Sequence, residues 1–187
     1  MKYLITGLGN IGDQYINTRH NIGFKILDAL AEASNVFYKD KRYGFMGQYR
    51  YKGRIFLLLK PSTYVNLSGK AVNYWLKKEK IPLDRLLVIA DDVSIPFGSI
   101  RLRPKGGDAG HNGLASINQV LGTQHYPRLR FGIGDDFPKG AQVQYVLGKW
   151  SNEEWDKLPG LIDHALEMIR AFGTIGLELT MTRYNIK

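Results

Sequence analysis

The sequence predicts a single α/β domain of three layers, spanning residues 1–187, with a mixed, mostly parallel sheet and helices on both faces. Three observations predict it. Leu86-Leu87-Val88-Ile89-Ala90 is an unbroken apolar run of strand length, the pattern of a strand buried on both sides. Segments of strand character alternate along the chain with segments whose apolar residues recur at helical spacing. The length of 187 residues, with 44% hydrophobic and 23% charged, is enough for one substantial core. No apolar run approaches the roughly 18 residues that suggest a membrane span.

The elements follow in order. Lys2 to Thr6 reads as a buried first strand. Phe24, Leu27, Leu30 and Ala31 place a helix from about Asn21 to Ala33. Phe45–Tyr51 and Arg54–Leu59 flank Lys52-Gly53, a hairpin signal. Val72, Trp75 and Leu76 mark a second helix, with Ser68 as candidate N-cap and Pro82 beyond its end. After the apolar run, Ile100 and Leu102 alternate with Arg101 and Arg103, a strand with one wet face. Leu114, Ile117, Val120 and Leu121 give a third helix, and Leu129, Phe131 and Ile133 alternate as another strand. Ser151-Asn152-Glu153-Glu154 is a capping box opening a helical region that Pro159-Gly160 is expected to divide.

The chain carries 26 Lys and Arg against 17 Asp and Glu, a net charge of +9. Residues 1–150 hold 22 basic and 11 acidic groups, and residues 151–187 hold 4 and 6, so the excess belongs to the first part. A basic region fits a polyanionic partner such as nucleic acid, or simple solubility. There are no cysteines, which excludes disulfides and thiolate metal sites.

Polar groups gather at the ends of the expected strands: Asn10, Tyr15 and His20-Asn21, then Tyr64 and Asn66, then Asp91-Asp92, then His111-Asn112. An imidazole, carboxylates and side-chain amides together can take a proton from water and hold a developing oxyanion. Each also has a plainer reading. His20 could be a surface or cap residue, Asp91-Asp92 a loop cap or Mg²⁺ ligands, and Asn66 and Asn112 helix N-caps. Gly7-Leu8-Gly9-Asn10-Ile11-Gly12 fits a dinucleotide fingerprint, but no helix begins at the glycines and Asp28 falls within the first helix. Ser62, Thr63 and Ser68 lie in no G-x-S-x-G elbow, and no histidine pair has metal-ligand spacing.

In combination these motifs resemble the bacterial peptidyl-tRNA hydrolases from Leu4 to about Trp150. The matching segments are Gly7-Leu8-Gly9-Asn10, Tyr15, Thr18 to Gly23, Lys60 to Gly69, Asp91, Pro96-Phe97-Gly98, Gly110 to Gly113 and Arg128 to Gly134. The resemblance implies hydrolysis of the ester between a peptide and the 3′-terminal ribose of tRNA, without metal or other cofactor. It implies His20 as base, Asp91 as its orienting partner, and Asn10 as the residue that helps position the imidazole. Asn66 and Asn112 would bind the peptide and the tRNA end, Tyr15 and Tyr64 would line that end, and Arg103 and Arg130 would contact tRNA phosphates. The implied partner is peptidyl-tRNA at its acceptor stem and 3′ end, with the stalled large ribosomal subunit as a further one. A cytoplasmic monomer with no membrane association is expected. The chain departs from the family pattern at Val65, where Met is usual, at Ala90, where His is common, and at Asp135-Asp136. A different class remains open, an RNA-binding module without turnover, and geometry discriminates: a hydrolase needs His20, Asp91, Asn10, Asn66 and Asn112 in one cleft.

Overall fold

The computed structural model describes residues 1–186. Seven strands form one sheet: β1 (Lys2–Gly7), β2 (Lys39–Lys41), β3 (Gly44–Tyr51), β4 (Arg54–Pro61), β5 (Leu86–Asp92), β6 (Ile100–Arg103) and β7 (Arg128–Gly132). Their order is β2-β3-β4-β1-β5-β7-β6. The four central strands are parallel, and β2, β3 and β6 add antiparallel edges. The β3–β4 hairpin turns on Lys52 and Gly53, both at positive φ, as the Lys-Gly pair predicts.

Six helices complete the layers: α1 (Ile22–Ala33), α2 (Ser68–Lys78), α3 (Asn112–Leu121), α4 (Gln142–Val146), α5 (Asn152–Thr174) and α6 (Leu177–Tyr184). Strand alternation divides the core in two. Ile5, Ile89 and Phe131 face α1 and α5, while Leu4, Val88 and Ala90 face α2 and α3. The first glycines are spacers. A Cβ on Gly7 would lie 2.4 Å from the Gly23 carbonyl oxygen, so the pair lets α1 lie directly against the end of β1.

Three local expectations are corrected. Pro159 does not divide the last helical region: α5 runs unbroken from Asn152 to Thr174. The carbonyl that loses its partner belongs to Trp155, on a half-exposed stretch where water can reach it. Ser68 is not an N-cap but the first residue of α2, following a 3₁₀ turn at Val65–Leu67, and its hydroxyl donates to the Val65 carbonyl at 2.7 Å. Asn66 and Asn112 cap nothing either. Asn66 sits inside that turn, and α3 is capped by His111, whose Nδ1 accepts from the Gly113 and Leu114 amides.

Candidate active site

The site lies beyond the carboxyl ends of the central strands, where an open parallel sheet commonly carries chemistry. Asn10 follows β1, Tyr64 to Asn66 follow β4, and Asp91 is the penultimate residue of β5. His20 sits on a 3₁₀ turn, Arg19–Asn21, that leads into α1. His111 stands at the head of α3, and α4 forms the remaining wall with Gln142, Val143 and Val146. These groups enclose a cleft of about 500 Å³ lined by Asn10, His20, Tyr64, Asn66, Asp91 and Asn112, together with His111.

At its foot is a three-part chain. His20 Nδ1 lies 3.1 Å from Asp91 Oδ1 and 3.2 Å from Oδ2. His111 Nε2 lies 2.9 Å from the same Oδ1. The two rings are tilted by 32° with centroids 4.9 Å apart. The cap fixes the proton of His111. Because Nδ1 accepts backbone N–H at 3.0 Å from Gly113, Nε2 must carry the hydrogen and donate it to Asp91. Asp91 is 5% exposed, so an ionised carboxylate there needs these two donors. Burial alone would raise its pKa, but His111 and His20 outweigh burial and hold Asp91 well below the usual carboxylate range. Burial pulls the His20 pKa down, yet the Asp91 charge and hydrogen bond overcome this and leave it raised. With Nδ1 turned to Asp91, His20 keeps Nε2 for the cleft.

His20 Nδ1, the Asp91 carboxylate and His111 Nε2 all lie within 4.8 Å of one another, close enough to converge on a metal ion. The cap disfavours that use. A metal on His111 Nε2 would displace its proton, and a proton returned to Nδ1 would break the start of α3.

The neighbouring residues hold the frame. Asn21 Oδ1 accepts from the Asn10 amide at 2.8 Å, and Asn21 Nδ2 donates to the Asn10 carbonyl at 2.9 Å, a reciprocal pair that fixes the loop carrying Asn10. Arg19 donates to the Tyr145 carbonyl and to Glu154, and its guanidinium lies 4.2 Å from the Tyr145 ring centre. It therefore ties the His20 turn to the α4 wall.

Not every expected site residue lines the cleft. Tyr15 is half-buried on the preceding 3₁₀ turn, Asp13–Tyr15, outside the lining. Arg103 is exposed on the edge strand β6. Arg130, on β7, is engaged: its Nη1 pairs with Asp92 Oδ2 at 2.9 Å and its Nη2 donates to the Gly107 carbonyl. Asp91 and Asp92 face opposite sides of the sheet and so do different work, Asp92 also accepting from the Ser94 amide and hydroxyl. Asn21 and His111 stood among the polar groups noted in the sequence but had no role assigned, and the α4 wall was not foreseen. The Gly-His-Asn-Gly motif held the signal for His111, because Gly113, where a Cβ would lie 3.0 Å from His111 Cε1, leaves room for its ring to cap the helix.

A family model described as peptidyl-tRNA hydrolase matches residues 4–187. The chain belongs to the peptidyl-tRNA hydrolase family. A peptidyl-tRNA hydrolase of Phocaeicola vulgatus is 56% identical over 187 residues, covering 100% of both chains. One from Gloeobacter violaceus is 43% identical, covering 98% of this chain and 94% of the other. The solved peptidyl-tRNA hydrolase of Acinetobacter baumannii superposes with a TM-score of 0.92 at 35% identity, covering 98% of this chain and 94% of that one. The match runs through every motif segment at the cleft and includes the helical end of the chain, beyond the span on which the motifs rest.

Proposed function

We propose that the protein hydrolyses the ester of peptidyl-tRNA and of N-blocked aminoacyl-tRNA, releasing the peptide and reusable tRNA. The observation that carries this reading is the His20–Asp91–His111 chain at the foot of an amide-lined cleft, in a chain of this family. His20 Nε2 takes a proton from water as the water oxygen attacks the ester carbonyl. The imidazolium so formed is stabilised by Asp91 across Nδ1. His20 then returns the proton to the departing ribose oxygen, so the peptide leaves as a carboxylic acid and the tRNA with a free hydroxyl. Such an ester is already activated, and a base plus fixed donors supply enough without a covalent intermediate.

Asn10, Asn66 and Asn112 are the amides that position the carbonyl and the peptide, and Tyr64, 82% exposed at the rim, offers a ring for a terminal base to stack on. Arg103 and Arg130 supply charge toward the tRNA backbone from the β6–β7 edge, with Tyr15 near the tRNA end. The family's substrate and the basic charge support a place in the cytoplasm, where we propose that it acts as a monomer; among the described residues no helix is long and apolar enough to cross a membrane. It would act on peptidyl-tRNA shed early from ribosomes, including that left on stalled large subunits. The deciding experiment is release of the acetylated amino acid from N-acetyl-aminoacyl-tRNA by the purified protein, with and without EDTA. Binding without turnover would instead support an RNA-binding module.

A further inference from the structure

From Lys41 to Lys78 the sequence contains nine Lys and Arg and no Asp or Glu. In the fold this stretch produces a cationic hollow remote from the cleft. Tyr43, Lys70, Asn73, Tyr74, Lys77 and Lys78 line a depression of about 540 Å³ on the outer face of α2. Its charges sit on aromatic rings. Arg42 lies 5.2 Å from the Tyr43 ring centre and 5.3 Å from that of Tyr74, Lys70 lies 5.3 Å from Tyr43, and Lys78 lies 5.7 Å from Tyr74. Among the described residues none of Arg42, Lys70, Lys77 and Lys78 has a carboxylate partner.

The arrangement is held against a local cost. Tyr43 stands at φ 65°, a left-handed position in the β2–β3 turn where glycine or asparagine is usual. Trp75 Nε1 pins that turn from α2 by donating to the Arg42 carbonyl at 2.8 Å. Tyr43 and Tyr74 then meet edge to face at 5.4 Å. A loose surface turn has no need of this.

The position of the hollow suggests what it holds. Strand alternation turns Arg101, Arg103, Arg128 and Arg130 to the same sheet face as α2 and α3, because their neighbours Leu102, Leu129 and Phe131 fill the other core. On this face α3, Asn112–Leu121, has no charged residue and lies between the arginine edge and α2. β3 and β6 are five strand spacings apart in the sheet, about 24 Å. Arg128 is buried and Arg130 is paired with Asp92, so exposed Arg103 and half-buried Arg101 form the positive bank that faces the hollow across this neutral saddle, on the face that opens into the cleft through Asn66 and Asn112.

We infer that the Arg42–Tyr43–Tyr74–Lys77–Lys78 surface is a second tRNA-contact site, engaging backbone phosphates of the strand opposite the one that faces the β6–β7 arginines. This deepens the proposed function and rests on it.

The test uses Lys77→Gln/Lys78→Gln in the full chain, both positions being exposed and without carboxylate partners. Affinity for deacylated tRNA is measured across a salt series. KM and kcat are measured on N-acetyl-aminoacyl-tRNA and on an N-acetyl-aminoacyl oligonucleotide ending in CCA. Two lost phosphate contacts should flatten the plot of log affinity against log salt by roughly 1.4 to 1.8. KM for the full tRNA should rise roughly tenfold at unchanged kcat, while the oligonucleotide is processed as before. Lys77→Arg/Lys78→Arg should restore the slope. Equal slopes and KM in an active protein would overturn the second site and leave the hydrolase reading standing. A wild-type chain that neither binds tRNA nor cleaves the ester would overturn both. Weakened binding of a poly-glutamate peptide with unchanged tRNA slope would assign the surface to an acidic polypeptide and refute the inference.

Discussion

Replacing Asp91 by asparagine removes one charge from the centre of the site and little else. The amide oxygen can occupy the place of Oδ1, which receives both His20 Nδ1 at 3.1 Å and His111 Nε2 at 2.9 Å. What is lost is the charge assistance to an imidazolium. A hydrogen bond to a charged partner contributes about 1.5–3 kcal/mol. At 1.36 kcal/mol per decade, the plateau rate should fall roughly 10- to 100-fold. The pH profile carries the sharper signature. In the wild type the His20 pKa is raised above its ordinary value, and only the neutral ring acts as base, so the rate climbs with pH through that raised pKa. In Asp91→Asn burial is unopposed, the pKa falls, and the limb moves to lower pH. Stability obeys the same linkage. The raised His20 pKa contributes fully below about 6.5 and fades as pH rises through its folded value, whereas the depressed Asp91 pKa contributes above about 3.9 and is lost as pH falls. The wild type should therefore exceed the variant in stability most between those two values. Single-turnover hydrolysis of N-acetyl-aminoacyl-tRNA from pH 5 to 9, with Tm at each pH, measures both. An unchanged plateau with an unmoved limb would refute the pairing as the source of base strength.

His20→Ala should lower kcat roughly 10²- to 10⁴-fold while keeping the fold and tRNA affinity, checked by turnover beside filter binding. His111→Asn keeps an N-cap oxygen for α3 but cannot donate to Asp91 as the imidazole does. It should hold Tm better than His111→Ala, which loses the cap at about 1 kcal/mol, yet share its reduced rate. Hydrolysis should survive EDTA, and loss of activity restored by Zn²⁺ would assign His20, Asp91 and His111 to a metal. Arg103→Ala should flatten the salt dependence of tRNA affinity by roughly 0.7 to 0.9 without a change in Tm. Arg130→Ala should cost about 3 kcal/mol of stability, read by urea unfolding, because it leaves Asp92 buried and unpaired.

Much of the sheet was legible because its strands differ in patterning. The run Leu86 to Ala90 of β5 is apolar throughout and reads as buried on both faces, and β6 alternates and reads as a strand with one wet face. The three-residue β2 was not legible, since Lys39-Asp40-Lys41 carries no apolar pattern and is held by pairing with β3 alone. Nor was α6, whose apolar residues are few and whose place is set by packing against α5 and β6. Pro159 misled because its cost depends on where the orphaned carbonyl points, which only the folded helix decides. At the site, His20, Asp91, Asn10, Asn66 and Asn112 were legible as residue types at strand ends, and the structure does gather them around one cleft.

What the sequence withheld was the direction of single side chains, and at this site that decides the chemistry. Adjacent aspartates look equivalent on paper, yet alternation sends Asp91 to two imidazoles and Asp92 to an arginine. Two histidines 91 positions apart look unrelated, yet both reach one carboxylate oxygen. They cannot play the same part there. His111 is committed to backbone amides through Nδ1 and to Asp91 through Nε2, so neither nitrogen is left for the cleft. His20 has no such tie at Nε2 and can gain and lose a proton without disturbing the fold. A helix cap thus separates the imidazole with a nitrogen left for the cleft from the one that holds Asp91 in place.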